Sequence, residues 1–408
     1  MPSRPHSAPR SGRISDWHAF VLRHKKPANL VLHFASAVMF FGAPLLGLFT
    51  GDVRFVWVWL GSSIVGSSAH YLTRDGVVTV RQATSSPKVV GYNVRMWWRV
   101  ITGRYADDIR DALASLEASK HTTRVALVTG AASGMGRATT LELLQRGYDV
   151  IAAVRQPADV AALSASVDAA SRAHLQVIAC DLTLATQRER LVEAVDARGR
   201  LDCLVHNAAQ GVFGALEDLP EHVVRQHMEV VFFGALWLTQ ALTPALRRAG
   251  GALIWVSSPA GVSGFPWTGA YSASKHAAEG LAESLYYELG PQGIRVRIVV
   301  PSAHRTGFVE RATFYTGGPE RPQAEAYRRI MQRNAARTLH EPTRVACCIA
   351  DLAQRDEAPL RSYVGANVRV LRVLRHLFPA WLRHRLLARG FARALAADAR
   401  RQAQAKAL

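Results

Sequence analysis

Residues 124–136 read RVALVT-GAASGMG, a short apolar run that meets three glycines within seven residues. Arg124–Thr129 has the make-up of a strand covered on both faces. Gly130, Gly134 and Gly136 let the chain turn tightly and start a helix whose N-terminal N–H groups can approach a pyrophosphate, with Ser133 and Met135 on the same turn. A glycine trio alone is weak evidence, so the surroundings decide. YDVIAAV (148–154), HLQVIACD (174–181), LDCLVHN (201–207), GALIWVSS (251–258) and IRVRIVVP (294–301) follow at helix-length intervals. Strand–helix alternation of this kind predicts an α/β fold, a doubly wound parallel sheet with its ligand crevice at the strands' carboxyl ends.

Beyond the fourth strand come three residues suited to proton chemistry. Tyr271 and Lys275 are i and i+4, so a helix places them on one face. A free tyrosine titrates near ~10, and a nearby ammonium favours the phenolate and lowers that value. Ser258, at a strand end, can hydrogen-bond a reacting oxygen and orient it.

These motifs, in this order, resemble the short-chain dehydrogenase/reductase family, whose core is a Rossmann fold. TGAASGMG matches its TGxxxGxG motif and HNAAQG its NAG motif, with Ala209 for glycine. YSASK (271–275) matches YxxxK, with Ser258 thirteen residues before the tyrosine. The resemblance covers about residues 122–385, and its C-terminal GANVRVLRVLRHLFPAWL is similar to steroid-type and retinol-type members. It implies Ser258, Tyr271 and Lys275 as catalytic residues. It also implies that Gly130, Ser133, Gly134, Met135, Gly136, Asp181, Leu182, Asn207, Ala208, Lys275, Pro301 and Thr306 line a nicotinamide dinucleotide site. Arg155, at the end of the second strand, stands where an enzyme for NAD often has an acid. Its planar fork suits a 2′-phosphate, so NADP is expected, with NAD the alternative.

Two positions depart from the family pattern. Val231 replaces the asparagine usual three residues before Gly234, which holds a water in the proton relay from the lysine. Ser302 replaces the glycine after Pro301 and reshapes the wall beside the nicotinamide. With valine in the relay, a cofactor-binding protein of weak turnover, a sensor or adaptor for NADP(H), stands as the other reading.

The 408 residues carry 50 Lys+Arg against 31 Asp+Glu, a formal charge of +19. Residues 1–120 hold +8, 121–360 hold +1 and 361–408 hold +10, so the charge lies in the flanks. A nucleic-acid enzyme more often carries its basic surface near its site, and no nucleic-acid partner is expected. Cys180, Cys203, Cys347 and Cys348 make no CxxC or Cys/His cluster and read as buried thiols of a reducing compartment.

In the first flank, a disordered basic tail (1–16) precedes Leu30–Phe49, LVLHFASAVMFFGAPLLGLF, twenty residues without formal charge. After a polar turn, Phe55–Ala69 is apolar again, and together they predict a helical hydrophobic hairpin. Arg23, Lys25 and Lys26 before it and Arg74, Arg81 and Lys88 after it put both ends, and the catalytic domain, in the cytoplasm. The alternatives are full spanning, a re-entrant hairpin, or packing on a soluble partner. Residues 17–110 also resemble the small membrane family of 2-hydroxy-fatty-acid dioxygenases. That resemblance implies His24, His33 and His70 as the positions that could hold iron, which would make the chain a bifunctional lipid enzyme as a further alternative, although no acidic and histidine companions follow and no metal is assigned.

Residues 366–408 predict basic amphipathic helices, suited either to an anionic membrane surface or to capping the domain. Ala303–Arg337, with Phe308, Phe314, Tyr315 and Tyr327, is expected to form the lid and pocket wall of a lipophilic steroid-, retinoid- or fatty-acid-like substrate. The expected organisation is thus a tail (1–16), a hydrophobic membrane-associated module (17–120), the Rossmann domain (121–365) and the C-terminal helices (366–408). A homo-oligomer is compatible with it.

Overall fold

A computed structural model of the protein describes residues 20–21, 24, 27–61, 87–120, 123–317, 322–337 and 340–407. The chain divides into two compact units, Met1–Thr122 and Thr123–Leu408.

The larger unit is built on seven parallel strands. They are β1 (Arg124–Thr129), β2 (Tyr148–Val154), β3 (Leu175–Ala179), β4 (Cys203–His206), β6 (Ala252–Val256), β7 (Arg295–Pro301) and β9 (Arg361–Val364). Their order in the sheet is β3-β2-β1-β4-β6-β7-β9. The order reverses at β1, between β2 on one side and β4 on the other, which is where a doubly wound sheet opens a crevice. Alternate residues of each strand feed opposite cores. Val125 and Leu127 of β1, with Leu253 and Trp255 of β6, meet the helices Ala185–Asp196, Gly234–Ala249 and Gly269–Leu289. Ala126 and Val128, with Ile254 and Val256, meet Gly134–Gln145 and Thr343–Gln354. Because both faces are buried, the strands read as continuous apolar runs. A second sheet that the sequence reading lacks pairs β5 (Val212–Gly214) with β8 (Thr313–Tyr315), also in parallel.

The smaller unit has a helix Pro27–Thr50 with Pro44 inside it, a helical stretch over 55–61, and helices Pro87–Ile101 and Tyr105–Lys120. Arg54 closes the turn between the first two through a bidentate pair with Asp52 (3.0 Å to Oδ1 and 2.7 Å to Oδ2). Leu30–Thr50 is long and apolar enough to cross a membrane, and only 6% of it is buried. Val31, Leu45, Leu48 and Phe49 project outward. Phe20, Val21, Met96, Tyr105 and Ala112 form a small core, beside a bidentate Arg99–Asp108 pair. The tail, residues 62–69 of the second apolar run, His70, and the flanking Arg23, Lys25, Lys26, Arg74 and Arg81 lie outside the described residues.

His24 and His33 meet edge to face with ring centroids 4.7 Å apart, and His24 Nδ1 donates to the Phe20 carbonyl. No group of three metal-ligating side chains occurs among the described residues. The cysteine expectation needs correction: Cys180 and Cys203 are buried, but Cys347 and Cys348 are only half-buried, on a helix whose packed face is carried by Val345, Ala346, Ile349 and Ala350.

Candidate active site

A cavity of about 1260 Å³ opens at the carboxyl ends of the strands. Its first half is made by the glycine turn. Gly130 has φ +67°, and a Cβ there would sit 2.8 Å from Ala208 Cα. Gly134 has φ +56°, and a Cβ there would meet Thr306 at 2.8 Å. L side chains avoid that backbone region, and nothing but hydrogen fits in these gaps. Gly136 is different. It does not line the cavity, but its Cβ would lie 2.1 Å from the Gly130 carbonyl oxygen, so it permits the turn to close on itself.

The other residues expected for the dinucleotide, from Ser133 to Thr306, line this cavity. Asn207 is committed to the protein itself. Its Nδ2 donates to the carbonyls of Thr129 and Gly130 (3.0 and 3.1 Å), which ties β4 to the turn. Asp181 accepts from the Thr183 N–H and hydroxyl, while Leu182 is buried. Arg155 is exposed and reaches Gln210 at 3.3 Å. An adjoining recess of about 500 Å³ shares Arg155 and adds Arg190, a second cation that the sequence reading missed. Ser302 fits because Gly365 opposite has no side chain: a Cβ there would stand 2.1 Å from Ser302 Oγ.

Ser258, Tyr271 and Lys275 come together on this wall. Ser258 caps the short turn Pro259–Gly261, accepting from Ala260 N–H at 3.2 Å. Burial pushes the Tyr271 hydroxyl up to about 12, against a hydrogen bond with Ser258. The expected lowering by Lys275 is not realised in this geometry, because the ammonium is turned to the Val256 carbonyl at 2.9 Å. Burial brings Lys275 itself down to about 8, opposed by the charge of Glu279 one turn along. Glu279 in turn binds the Ser257 hydroxyl and Arg361 (2.9 Å).

The second half of the cavity is apolar. Phe308, Tyr315 and Tyr327 line it as expected, but Phe314 does not; it packs on Phe213 with centroids 5.3 Å apart, drawn inward by the β5–β8 pairing. Phe213, Phe265, Met331, Leu386, Leu387 and Phe391 complete the wall and were not foreseen. The last three belong to the helix Ala380–Ala407, which lies in the same compact unit as the sheet rather than apart from it. Phe391 packs against Trp267 (5.0 Å) and Tyr327 (6.0 Å). Trp267 holds φ at +56°, an uncommon value for a bulky residue, and its carbonyl accepts from Gly214 N–H at 2.9 Å. Asp398, its carboxylate fully buried, anchors the same helix by binding Arg329 (2.9 Å) and Arg333.

A sequence model described as short chain dehydrogenase matches residues 124–313. The 3-ketodihydrosphingosine reductase of Bacteroides thetaiotaomicron is 32% identical over 61% of this chain and 90% of its own length. The bovine (Bos taurus) 11-beta-hydroxysteroid dehydrogenase type 2 is 31% identical over 65% of this chain and 70% of its own. A crystal structure of a short-chain dehydrogenase from Streptomyces avermitilis, 32% identical, matches 63% of this chain and 94% of its own with a TM-score of 0.56. A relative 32% identical to it over 90% of that relative's length, together with the family model that matches residues 124–313, shows that this chain belongs to the short-chain dehydrogenase/reductase family of NAD(P)-dependent oxidoreductases.

Proposed function

We propose that the protein interconverts a carbonyl and a secondary alcohol on a lipophilic substrate, using NADP(H), at or near a membrane. The observation that carries the reading is the two-sided cavity: Ser258, Tyr271 and Lys275 stand between a backbone-lined turn and an aromatic-aliphatic wall. The turn suits a pyrophosphate, since it ends on the first N–H groups of the helix Gly134–Gln145. Gly130, Ser133, Gly134 and Met135 would hold the phosphates, Asp181 and Leu182 the adenine side, and Pro301 and Thr306 the nicotinamide side. Arg155, backed by Arg190 in the adjoining recess, would meet a 2′-phosphate, which favours NADP over NAD.

A bound nicotinamide supplies or takes up the hydride. Ser258 donates to the substrate oxygen and orients it. Tyr271 Oη gives its proton to that oxygen during reduction and recovers it during oxidation. Lys275, whose charge is held weakly, lies next along the proton's path. The aromatic wall excludes water from the reacting carbon.

Relatives named for 3-ketodihydrosphingosine and 11-beta-hydroxysteroid support a lipid-like substrate. The uncovered apolar helix Leu30–Thr50 supports membrane association, since exposed apolar faces of that length are rare in water. Val231, whose side chain has no polar atom to give a proton relay, favours the alternative of an NADP(H) sensor of low turnover.

A panel of lipophilic ketones, from 2-decanone to steroid and 3-oxo-acyl compounds, with NADPH and the full chain decides. Turnover that drops by about a thousandfold in Tyr271→Phe, with NADPH affinity kept, supports the enzyme. Binding without Tyr271-dependent turnover leaves the sensor. Arg155→Ala should raise the NADPH KM by about tenfold and spare NADH; equal effects on both cofactors would remove the NADP preference.

A further inference from the structure

His227, on the helix Glu221–Met228, is wholly buried beside the reacting groups. Its ring centroid is 5.9 Å from that of Tyr271, and Lys275 is the charge that acts on it. Its Nε2 lies 2.9 Å from Ser274 Oγ. The Ser274 hydroxyl already donates to the Tyr271 carbonyl at 2.8 Å, so toward His227 it can only accept. The imidazole must therefore carry its hydrogen on Nε2. Its Nδ1 is left with a lone pair that has no hydrogen-bond partner among the described residues. A buried acceptor left unmet is destabilising and calls for an explanation. Burial, reinforced by Lys275, holds this imidazole down at about 4, which makes it a neutral acceptor at ordinary pH.

The same helix runs on into a π turn, Glu229–Phe233, where Gly234 N–H reaches back to the Glu229 carbonyl. Such turns often mark functional positions. Val231 in this turn is buried and carries no polar side-chain atom.

We propose that His227 positions the proton path, its Nδ1 accepting a hydrogen bond from a water beside Lys275. The inference rests on the dehydrogenase reading above. In reduction, one proton leaves Tyr271 Oη for the new hydroxyl and is replaced by way of Lys275 from that water, which solvent refills. Oxidation runs the same transfers backwards. The imidazole is neutral before and after, so it holds the water without being consumed. His227 acts through Lys275 and does not touch the substrate. Tyr271, Lys275 and Glu279 on the helix Gly269–Leu289 are titratable groups around this path, and from other elements Tyr327 faces Tyr271 and Arg361 pairs with Glu279.

The test uses the full chain with His227→Phe, which keeps the volume but no acceptor, and His227→Gln, which keeps an acceptor. With NADPH and 2-decanone, His227→Phe should lower kcat about tenfold, leave KM within about twofold and enlarge the solvent isotope effect, and His227→Gln should restore most of the rate. Without cofactor, carbon-13 lysine spectra should show Lys275 titrating below its wild-type position near 8 in His227→Phe and not in His227→Gln. An unchanged Lys275 titration in folded His227→Phe overturns the proposal, and so does a kcat within about twofold of wild type. A wild-type protein that turns over no ketone refutes the dehydrogenase reading instead, while the apoprotein spectra still decide the role of His227.

Discussion

The two halves of the cavity are built by opposite means. The glycine-turn half is built on a turn of residues close in the chain, against which Ala208 and Thr306 pack from later segments, and its geometry depends on what is missing: at Gly130, Gly134 and Gly136 a single carbon would strike neighbouring atoms within 2.8 Å. The apolar half collects Phe213, Phe265, Phe308, Tyr327 and Phe391 from five separate segments. One half is specified by exclusion, the other by accumulation. A single substitution should therefore be ruinous in the first and graded in the second.

The largest effect is expected from Gly136→Val. Its side chain would be forced against the Gly130 carbonyl at 2.1 Å, against backbone that cannot give. The variant should bind no NADPH by fluorescence titration and should melt early or fail to fold. Wild-type affinity in that variant would break the contrast outright.

Next comes the anchor of the apolar half. Asp398→Ala removes a buried carboxylate and leaves Arg329 and Arg333 facing each other, at a cost of about 3 kcal/mol at most because both guanidinium groups are partly hydrated. Thermal melts measure this. Burial raises the Asp398 carboxyl, but hydrogen bonds from Arg333 and Arg329 outweigh it and hold the group below its ordinary 3.8. Its stabilisation is then present above that value and is lost as the pH falls through the lower folded one. Wild type should lose stability along that acid limb and Asp398→Ala should not. Matching acid limbs would show that the last helix is not held by this carboxylate.

The smallest effect is expected from Phe391→Ala. It should raise KM for the bulkiest ketone by about tenfold, leave 2-decanone nearly unaffected and spare NADPH binding. Equal losses on small and large substrates would mean that the helix Ala380–Ala407 supports the fold but does not shape the pocket.

The legibility of the site follows the same division. Ser258, Tyr271 and Lys275 were readable because a helix fixes i and i+4 on one face and a strand end fixes Ser258. The protonation balance among them was not readable. Lys275 turns to the Val256 carbonyl, and burial dominates Tyr271, so the sign of its shift depends on the packed surroundings. Phe314 shows the same limit: it lies in the segment expected to form the wall, but the pairing of β5 with β8 carries it onto Phe213 and off the surface. Apolarity also misleads taken alone. Glu221–Ala249 is also long and apolar enough to cross a membrane, though less apolar than Leu30–Thr50, but 44% of it is buried and only 6% of the other.

By itself, the sequence determined the parallel α/β sheet, the glycine turn, the reacting trio and the concentration of charge in the flanks. The turn and the trio rest on spacing within one or two elements, where backbone geometry leaves few alternatives, while the sheet rests on strand–helix alternation along the chain and the charge on composition. Tertiary structure alone decided which aromatic residues face the cavity, the capture of the last helix by Asp398, and the orphaned Nδ1 of His227. Those depend on contacts between segments far apart in the chain, and such contacts are set by packing, which no local pattern records.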